Sequence, residues 1–361
     1  PDPIDLDKIY SEIHTEPKDA YYTQNPFTLY PHVDGVDFAI SMEEAKKLLE
    51  EDKEEYVIPL KITHPAVTTD KIGSEGFPDL LGEFSTTYNA GATARTTNLK
   101  LASNKINNTV VMPGETFSYN KVVGKRTVAA GYKEAPAYAG GKVVNDIGGG
   151  ICQITSTLYN AVIFANLDIV SRSNHQFVPS YVKAGRDATV VYGAIDFKFK
   201  NTRKYPIKIK SSVSGGIAKI QIFGMKEETE YDVKIETKIT GSIPMQTTYE
   251  DDPTLEQGKE KVVQKGHNGT YSEAYKVVYL NGKVVSRTLL SKDKYNQMST
   301  IIKRGTKGTT IQTPPATTPE QPTQPTPPVE PTVPSEPETP TAPETPTEPT
   351  TPEEQESAPA A

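Results

Sequence analysis

The sequence predicts an α+β, multi-domain chain: a small α+β unit over 1–75, a central α+β domain over 79–225, an all-β domain over 229–306 and a disordered Pro/Thr/Glu tail over 309–361. Three observations predict this. A capping box opens a helix between two strand-like runs near the start; a glycine triplet opens an apolar helix among alternating segments in the middle; and after Thr229 alternation continues, broken by glycine turns, with no helical period. The tail sets the last boundary. It holds 16 of the 30 prolines and nine glutamates but no Lys, Arg, Asp or His, a composition that cannot form a core.

In the first unit, Ser41-Met42-Glu43-Glu44 is the capping box, and Met42, Ala45, Leu48 and Leu49 form the stripe the helix buries. Strands are expected on either side, over Val36 to Ile40 and Tyr56 to Thr63. With Tyr21-Tyr22 and Asp34-Gly35, this pattern resembles the peptidoglycan-binding domain often found ahead of wall transpeptidases. Lys71 to Pro78, containing Gly73, Ser74, Gly76 and Pro78, reads as a linker.

The central domain is expected to contain a half-exposed hairpin, Ala194 to Lys200 returning as Ile207 to Lys210 across a turn at Asn201 to Pro206, and a strand over Ala218 to Phe223. Lys198, Lys200, Lys208 and Lys210 then form its solvated face. The chemically loaded stretch is Gly148-Gly149-Gly150-Ile151-Cys152-Gln153, which holds the only cysteine. Ile154, Leu158, Val162 and Ala165 recur at steps of three and four, predicting an amphipathic helix from Ile151 with Cys152 in its first turn. The unsatisfied N–H groups of a helix start favour a thiolate over a thiol. Amides of Gly149, Gly150, Ile151 and Gln153 are candidate donors to an oxyanion, which together with a thiolate is what acyl transfer requires.

A base is also needed, and His175 is the candidate, since a helix followed by an antiparallel return brings its two ends together. Asp187 or Asp196 would orient it. The alternative for these residues is a small buried cysteine, an ordinary glycine turn and a surface histidine.

From Phe84 to Gly224 the chain resembles the VanW family. The matching pieces are Arg95 with Asn98, Met112 to Ser118, the Gly148 to Gln153 run, and His175 followed by Tyr181, Gly185, Arg186, Asp187 and Ala188. The family is associated with vancomycin-resistance loci, and some members are understood to act as L,D-transpeptidases through the cysteine of this motif. The resemblance therefore implies catalysis at Cys152 on peptidoglycan stem peptides, with no metal and no cofactor. The widespread L,D-transpeptidases carry His-Gly directly before their cysteine, whereas Gly150-Ile151 stand here. Arg95 and Asn98 are further candidates for holding substrate, Arg95 because a guanidinium fork recognises the carboxylates of stem peptides.

Segments Tyr231 to Thr240, Glu260 to Gln264, Ala274 to Leu280 and Lys283 to Leu289 alternate as strands, with a hairpin turn at Asn281-Gly282. Gly258, Gly266, Gly269, Gly282 and Gly305 after Asp251-Asp252-Pro253 make this portion similar to a G-five domain, implying glycan binding or a spacer role. His267 lies in a turn without a set of neighbouring metal ligands.

The whole chain carries 39 basic and 46 acidic side chains, so residues 1–308 carry 39 against 37, and no basic face of the kind nucleic acid needs is evident. A single cysteine precludes an intramolecular disulfide. The tail resembles a wall-spanning stalk reaching on the order of 160 Å, at ~3.1 Å per residue, if extended. The expected location is the outside of a Gram-positive bacterium, with peptidoglycan stem peptides and glycan as partners. No signal peptide or membrane span is legible, and any targeting or anchoring segment is expected outside these residues.

Overall fold

A computed structural model of the chain describes residues 4–51, 53, 55–139 and 142–308. The tail expected over 309–361 lies outside the described residues. No helix among the described residues is long and apolar enough to cross a membrane.

The N-terminal part contains a helix that the sequence reading missed, α1 (Leu6–Ile13), whose start is capped by Asp5 accepting from Lys8 N at 3.0 Å. Only two turns long, it is held by packing of Leu6, Tyr10 and Ile13 around Phe38 and Ala45. The expected capping box is present on α2 (Met42–Leu48): Ser41 Oγ accepts from Glu44 N, and Glu44 Oε2 accepts from Ser41 N at 2.9 Å. Strands Gly35–Phe38 and Leu60–Thr63 flank α2 in sequence and pair antiparallel.

The stretch expected as a linker packs instead. Ile72 and Phe77 are buried with Ala20 and Leu29. The reason is Lys208, expected on a solvated strand face but itself buried. Its ammonium donates to Asp70 O at 2.8 Å and to Ile72 O, and lies 4.6 Å from the centre of the Phe77 ring. A buried ammonium needs such carbonyl partners.

The central domain is built on a four-stranded antiparallel sheet in the order Asp79–Thr87, Ile217–Gly224, Ile207–Ser214, Val110–Val111. A second sheet holds Lys198–Lys200 between Asp168–Ser171 and Thr116–Ser118. The expected hairpin between Ala194 to Lys200 and Ile207 to Lys210 does not form, because those strands enter different sheets. Buried Asn201 makes the switch, donating from Nδ2 to Val111 O and Tyr205 O at 2.9 and 3.0 Å. Ile207 to Ser214 hairpins forward to Ile217 to Gly224 through Gly215 and Gly216, both at positive φ.

Helix α3 (Thr93–Ile106) buries Leu99, Ala102 and Ile106, and a five-residue helix, α4 (Tyr119–Val123), buries Tyr119 and Val123. Helix α5 (Cys152–Phe164) starts where expected but is not amphipathic: every residue from Gln153 to Ile163 is buried. Ile154, Leu158 and Val162 join the main core with Phe117, Phe197, Ile209 and Ile222. Gln153, Ser156, Thr157 and Asn160 are hydrogen-bonded through their side chains, as burial demands, whereas Thr155 Oγ1 is buried without a partner among the described residues; Thr157 Oγ1 lies 2.8 Å from Thr86 Oγ1 and 2.7 Å from Gln153 O.

The all-β part forms two three-stranded sheets: Asp232–Ile243, Gly269–Leu280 and Lys283–Tyr295 in one; Thr247–Glu256, Thr300–Lys307 and Glu260–Gln264 in the other. The Asn281-Gly282 turn has both residues at positive φ, the conformation that matches hairpin twist. Val233 and Val278 of the first sheet enter the same core as α5.

Candidate active site

The glycine run is shaped by close approach. Gly148 and Gly150 have φ of +83° and +100°, and a Cβ on Gly149 would lie 2.1 Å from Ala135 O. Asn98, fully buried on α3, fixes the loop: its Nδ2 donates to Gly149 O at 3.0 Å and Lys133 O at 2.9 Å, and its Oδ1 accepts from Lys133 N at 2.8 Å. Asn98, expected to touch substrate, instead positions the glycines. Gly149→Ala is expected to cost about 3 kcal/mol through overpacking against backbone, read as a lowered Tm; an unchanged Tm would show that the loop can shift aside.

Ile151 is the N-cap residue of α5 and is buried in the core. Its N–H donates to Gly148 O at 3.3 Å, that of Gln153 to Gly150 O at 3.0 Å, and that of Gly149 to Asp146 O at 3.0 Å. Those three expected oxyanion donors are therefore engaged inside the turn. The amides of Gly150 and Cys152 have no partner among the described residues and remain available at the helix start.

Gln153 Oε1 accepts from Arg95 Nη2 at 2.7 Å, while Gln153 Nε2 donates to Thr86 Oγ1 and Thr87 O at 3.0 and 2.8 Å. A Cβ on Gly150 would sit 2.7 Å from Arg95 Nη1, so glycine lets the guanidinium lie against the turn. No acidic side chain pairs with Arg95 among the described residues.

The segment from Arg172 to Val190 supplies the rest of the site. Polar groups of α5 hold it down: Ser156 Oγ accepts from Ala188 N at 2.9 Å, and Asn160 binds Arg186 twice, accepting from Nε at 2.7 Å and donating to O at 2.8 Å. These contacts bracket Asp187, which is completely buried. Asp187 Oδ2 accepts from the backbone N of His175 and contacts His175 Nδ1, both at 2.6 Å. Nε2 is the ring nitrogen left for the thiol, with the Tyr181 hydroxyl 3.5 Å from it. Cys152, half-buried, has its Sγ 3.6 Å from Val190 O.

Burial opposes ionisation of Cys152, but the neighbouring His175 imidazole, the Val190 backbone and the Arg126 charge more than offset it and lower the thiol pKa. Burial likewise opposes the imidazolium, but the hydrogen bond to Asp187 and the nearby Cys152 sulfur raise His175 to about 9. Burial would raise Asp187 too; His175, Arg172 and Tyr295 hold it lowered. The arrangement sets a thiol of lowered pKa near an imidazole of raised pKa that a buried carboxylate supports.

Asp196, the other candidate orienter, lies elsewhere. Its carboxylate accepts from Ser118 Oγ at 2.6 Å and Asn120 N at 2.9 Å, joining a strand to the start of α4. Sequence reasoning assigned no role to Tyr181 or Arg126. Tyr181 stood only among the residues that carry the family resemblance. Arg126 lies over Tyr119 and Tyr192 at 5.6 and 6.0 Å, with Nε and Nη2 buried and unpartnered among the described residues. Arg172 donates from Nη2 to Asp187 Oδ1 at 2.9 Å and from Nε to Asp187 O at 2.6 Å. A cavity of about 1000 Å³ opens beyond Arg172, lined by residues 166–174 and by the strand pair around Lys276 and Asp293, with no cysteine or histidine in its wall. No cluster suited to a metal ion occurs among the described residues.

The family described as VanW like protein matches residues 94–223, and the G5 domain matches residues 234–307. The uncharacterized protein YoaR of Bacillus subtilis (strain 168) is 46% identical over 143 residues, 40% of this chain and 47% of YoaR. The vancomycin B-type resistance protein VanW of Enterococcus faecalis (strain ATCC 700802 / V583) is 36% identical over 110 residues, 29% of this chain and 40% of that protein. The chain thus spans under half the length of each of these relatives. Among solved structures, the IgA1 protease G5 domain is 28% identical and covers 23% of this chain and 99% of its own, with a TM-score of 0.17. HP0197-G5 is 26% identical and covers 21% and 100%, with a TM-score of 0.13. Neither family match reaches the N-terminal part. The chain contains a VanW-like domain joined to a G5 domain, a combination that suggests a protein associated with the cell wall.

Proposed function

We propose that this protein is a secreted cysteine acyltransferase of the L,D-transpeptidase type, acting on peptidoglycan stem peptides outside a Gram-positive cell. The observation that carries the reading is the Cys152–His175–Asp187 series at the start of α5, with Asp187 2.6 Å from His175 Nδ1. The thiolate of Cys152 attacks the carbonyl carbon of the third residue of a donor stem. The N–H groups of Gly150 and Cys152 receive the oxyanion. His175 then gives its Nε2 proton to the departing amine of the terminal D-alanine, leaving a thioester. The side-chain amine of a third residue on a neighbouring stem attacks that thioester, His175 takes the amine's proton, and the thiolate leaves. Water in place of the amine gives a carboxypeptidase. Arg95 stands beside the turn as a carboxylate anchor.

The test is incubation of the purified chain with disaccharide-tetrapeptides. Mass spectrometry should find dimers cross-linked between third positions, and a carbapenem should leave one adduct, on Cys152. Neither product would leave only a wall-associated binding or spacer protein with a structural cysteine.

The ion pair also has a pH signature. Alkylation of Cys152 by iodoacetamide should stay fast well below the ~8.5 of a free thiol. A rate profile centred near 8.5 would rule out activation. Unfolding the pair releases no net proton between roughly pH 6.5 and 8.5, because thiolate plus imidazolium holds one proton and so does thiol plus neutral imidazole. Below about 6.5 the unfolded pair binds the extra proton, so its contribution to stability rises with pH. Above about 8.5 the unfolded thiol ionises first, so the contribution falls until His175 deprotonates near 9.

A further inference from the structure

The segment that carries His175 and Asp187 rests on the G5 domain as well as on α5. Asn296 N donates to Gln176 O at 2.7 Å, and Asn174 Nδ2 donates to Lys294 O at 2.9 Å. At Gly185 the two surfaces touch so closely that a Cβ would lie 3.1 Å from Ala274 Cβ. Two G5 side chains reach further in. Tyr295, wholly buried, accepts from Gly185 N at 2.7 Å and donates its O–H to Asp187 Oδ1 at 2.5 Å. Asp293, also buried, accepts from Arg172 Nη1 at 2.6 Å and from Ser291 Oγ at 2.8 Å.

We infer that Tyr295 and Asp293 of the G5 domain are positioning residues of the active site, fixing the Asp187 carboxylate and its Arg172 partner so that Oδ2 faces His175. The inference rests on the assignment of His175 and Asp187 made above. Asp187 Oδ1 is shared between Tyr295 and Arg172 while Oδ2 serves His175 alone among side chains. Without the tyrosine hydroxyl, the carboxylate is free to turn toward the guanidinium, and the imidazolium loses its acceptor. Without the charge of Asp293, Arg172 has Asp187 as its one remaining anionic partner among the described residues and draws its negative charge away from the ring. Both changes disfavour protonated His175. The G5 domain is in this sense the back wall of the site, a task separate from any glycan it holds.

The experiment is an NMR titration of the His175 imidazole in the full chain for the wild type, Tyr295→Phe, Asp293→Asn and Val277→Ala. Val277 is buried in the same strand pair but has no polar role, so it controls for simple loosening of the domain. The two positioning variants are expected to lower the His175 pKa from about 9 by about one unit, and Val277→Ala to leave it in place. An unchanged or raised pKa in both positioning variants overturns the inference, as does an equal fall in Val277→Ala. If Tyr295→Phe does not fold, Asp293→Asn alone decides. Iodoacetamide reactivity of wild-type Cys152 is measured alongside. A free-thiol profile there would remove the proposed nucleophile yet leave the His175 titration readable, so the two failures are distinct.

Discussion

Cys152→Ala is expected to abolish dimer formation from disaccharide-tetrapeptides, a fall on the order of 10⁶-fold in turnover if the chain follows other nucleophile deletions. No neighbouring group can replace the sulfur. Among the described residues, Ser156 is the nearest hydroxyl on the same face of α5, and it is engaged with Cys152 O and Ala188 N at 2.8 and 2.9 Å. The fold should survive, since alanine suits the first turn of a helix. Circular dichroism matching the wild type together with lost dimers is the predicted result. Dimers at the wild-type rate would remove Cys152 from the chemistry.

Asp187→Asn is expected to be nearly as severe for a different reason, costing roughly 10³- to 10⁴-fold in turnover. An amide nitrogen facing Nδ1 would turn that nitrogen into an acceptor and place the ring proton on Nε2, where it blocks rather than accepts the thiol proton. The alkylation profile of Cys152 should then move toward ~8.5. The same change leaves Arg172 with a lost charge partner at a buried site, so a stability loss of about 3 to 5 kcal/mol should accompany it. A variant that retained the wild-type alkylation profile would mean that Asp187 serves only to brace Arg172.

The parts of this site legible in the sequence are those set by local chemistry. Glycines at positive φ, a helix opening at Cys152 and a histidine one return strand later all depend on neighbours a few residues away. The choice between Asp187 and Asp196 could not be made that way, because both lie downstream of His175 and only the tertiary path decides which of them meets it. Tyr295 is 108 residues from Asp187, and nothing in its strand pattern marks it as different from any buried tyrosine. The same limit explains Lys208: alternation placed it on a strand correctly, but which face would be covered depended on residues 70–77 folding back over it. Helix α5 was recognised by its period yet misjudged as amphipathic, since its Thr, Ser and Asn side chains read as a wet face when they are buried clasps.

Helix α5 has one more consequence. From Gln153 to Ile163 it is buried all round, and the groups that lower the pKa of Cys152 come from stretches that meet only once the chain has folded. On the proposed function, a nascent or damaged chain therefore carries an ordinary, sluggish thiol, and reactivity switches on only once these stretches have met. Electrophilic probes of Cys152 would accordingly count correctly assembled molecules in a mixed population, and under the proposed function the chain is spared adventitious acylation before it is complete.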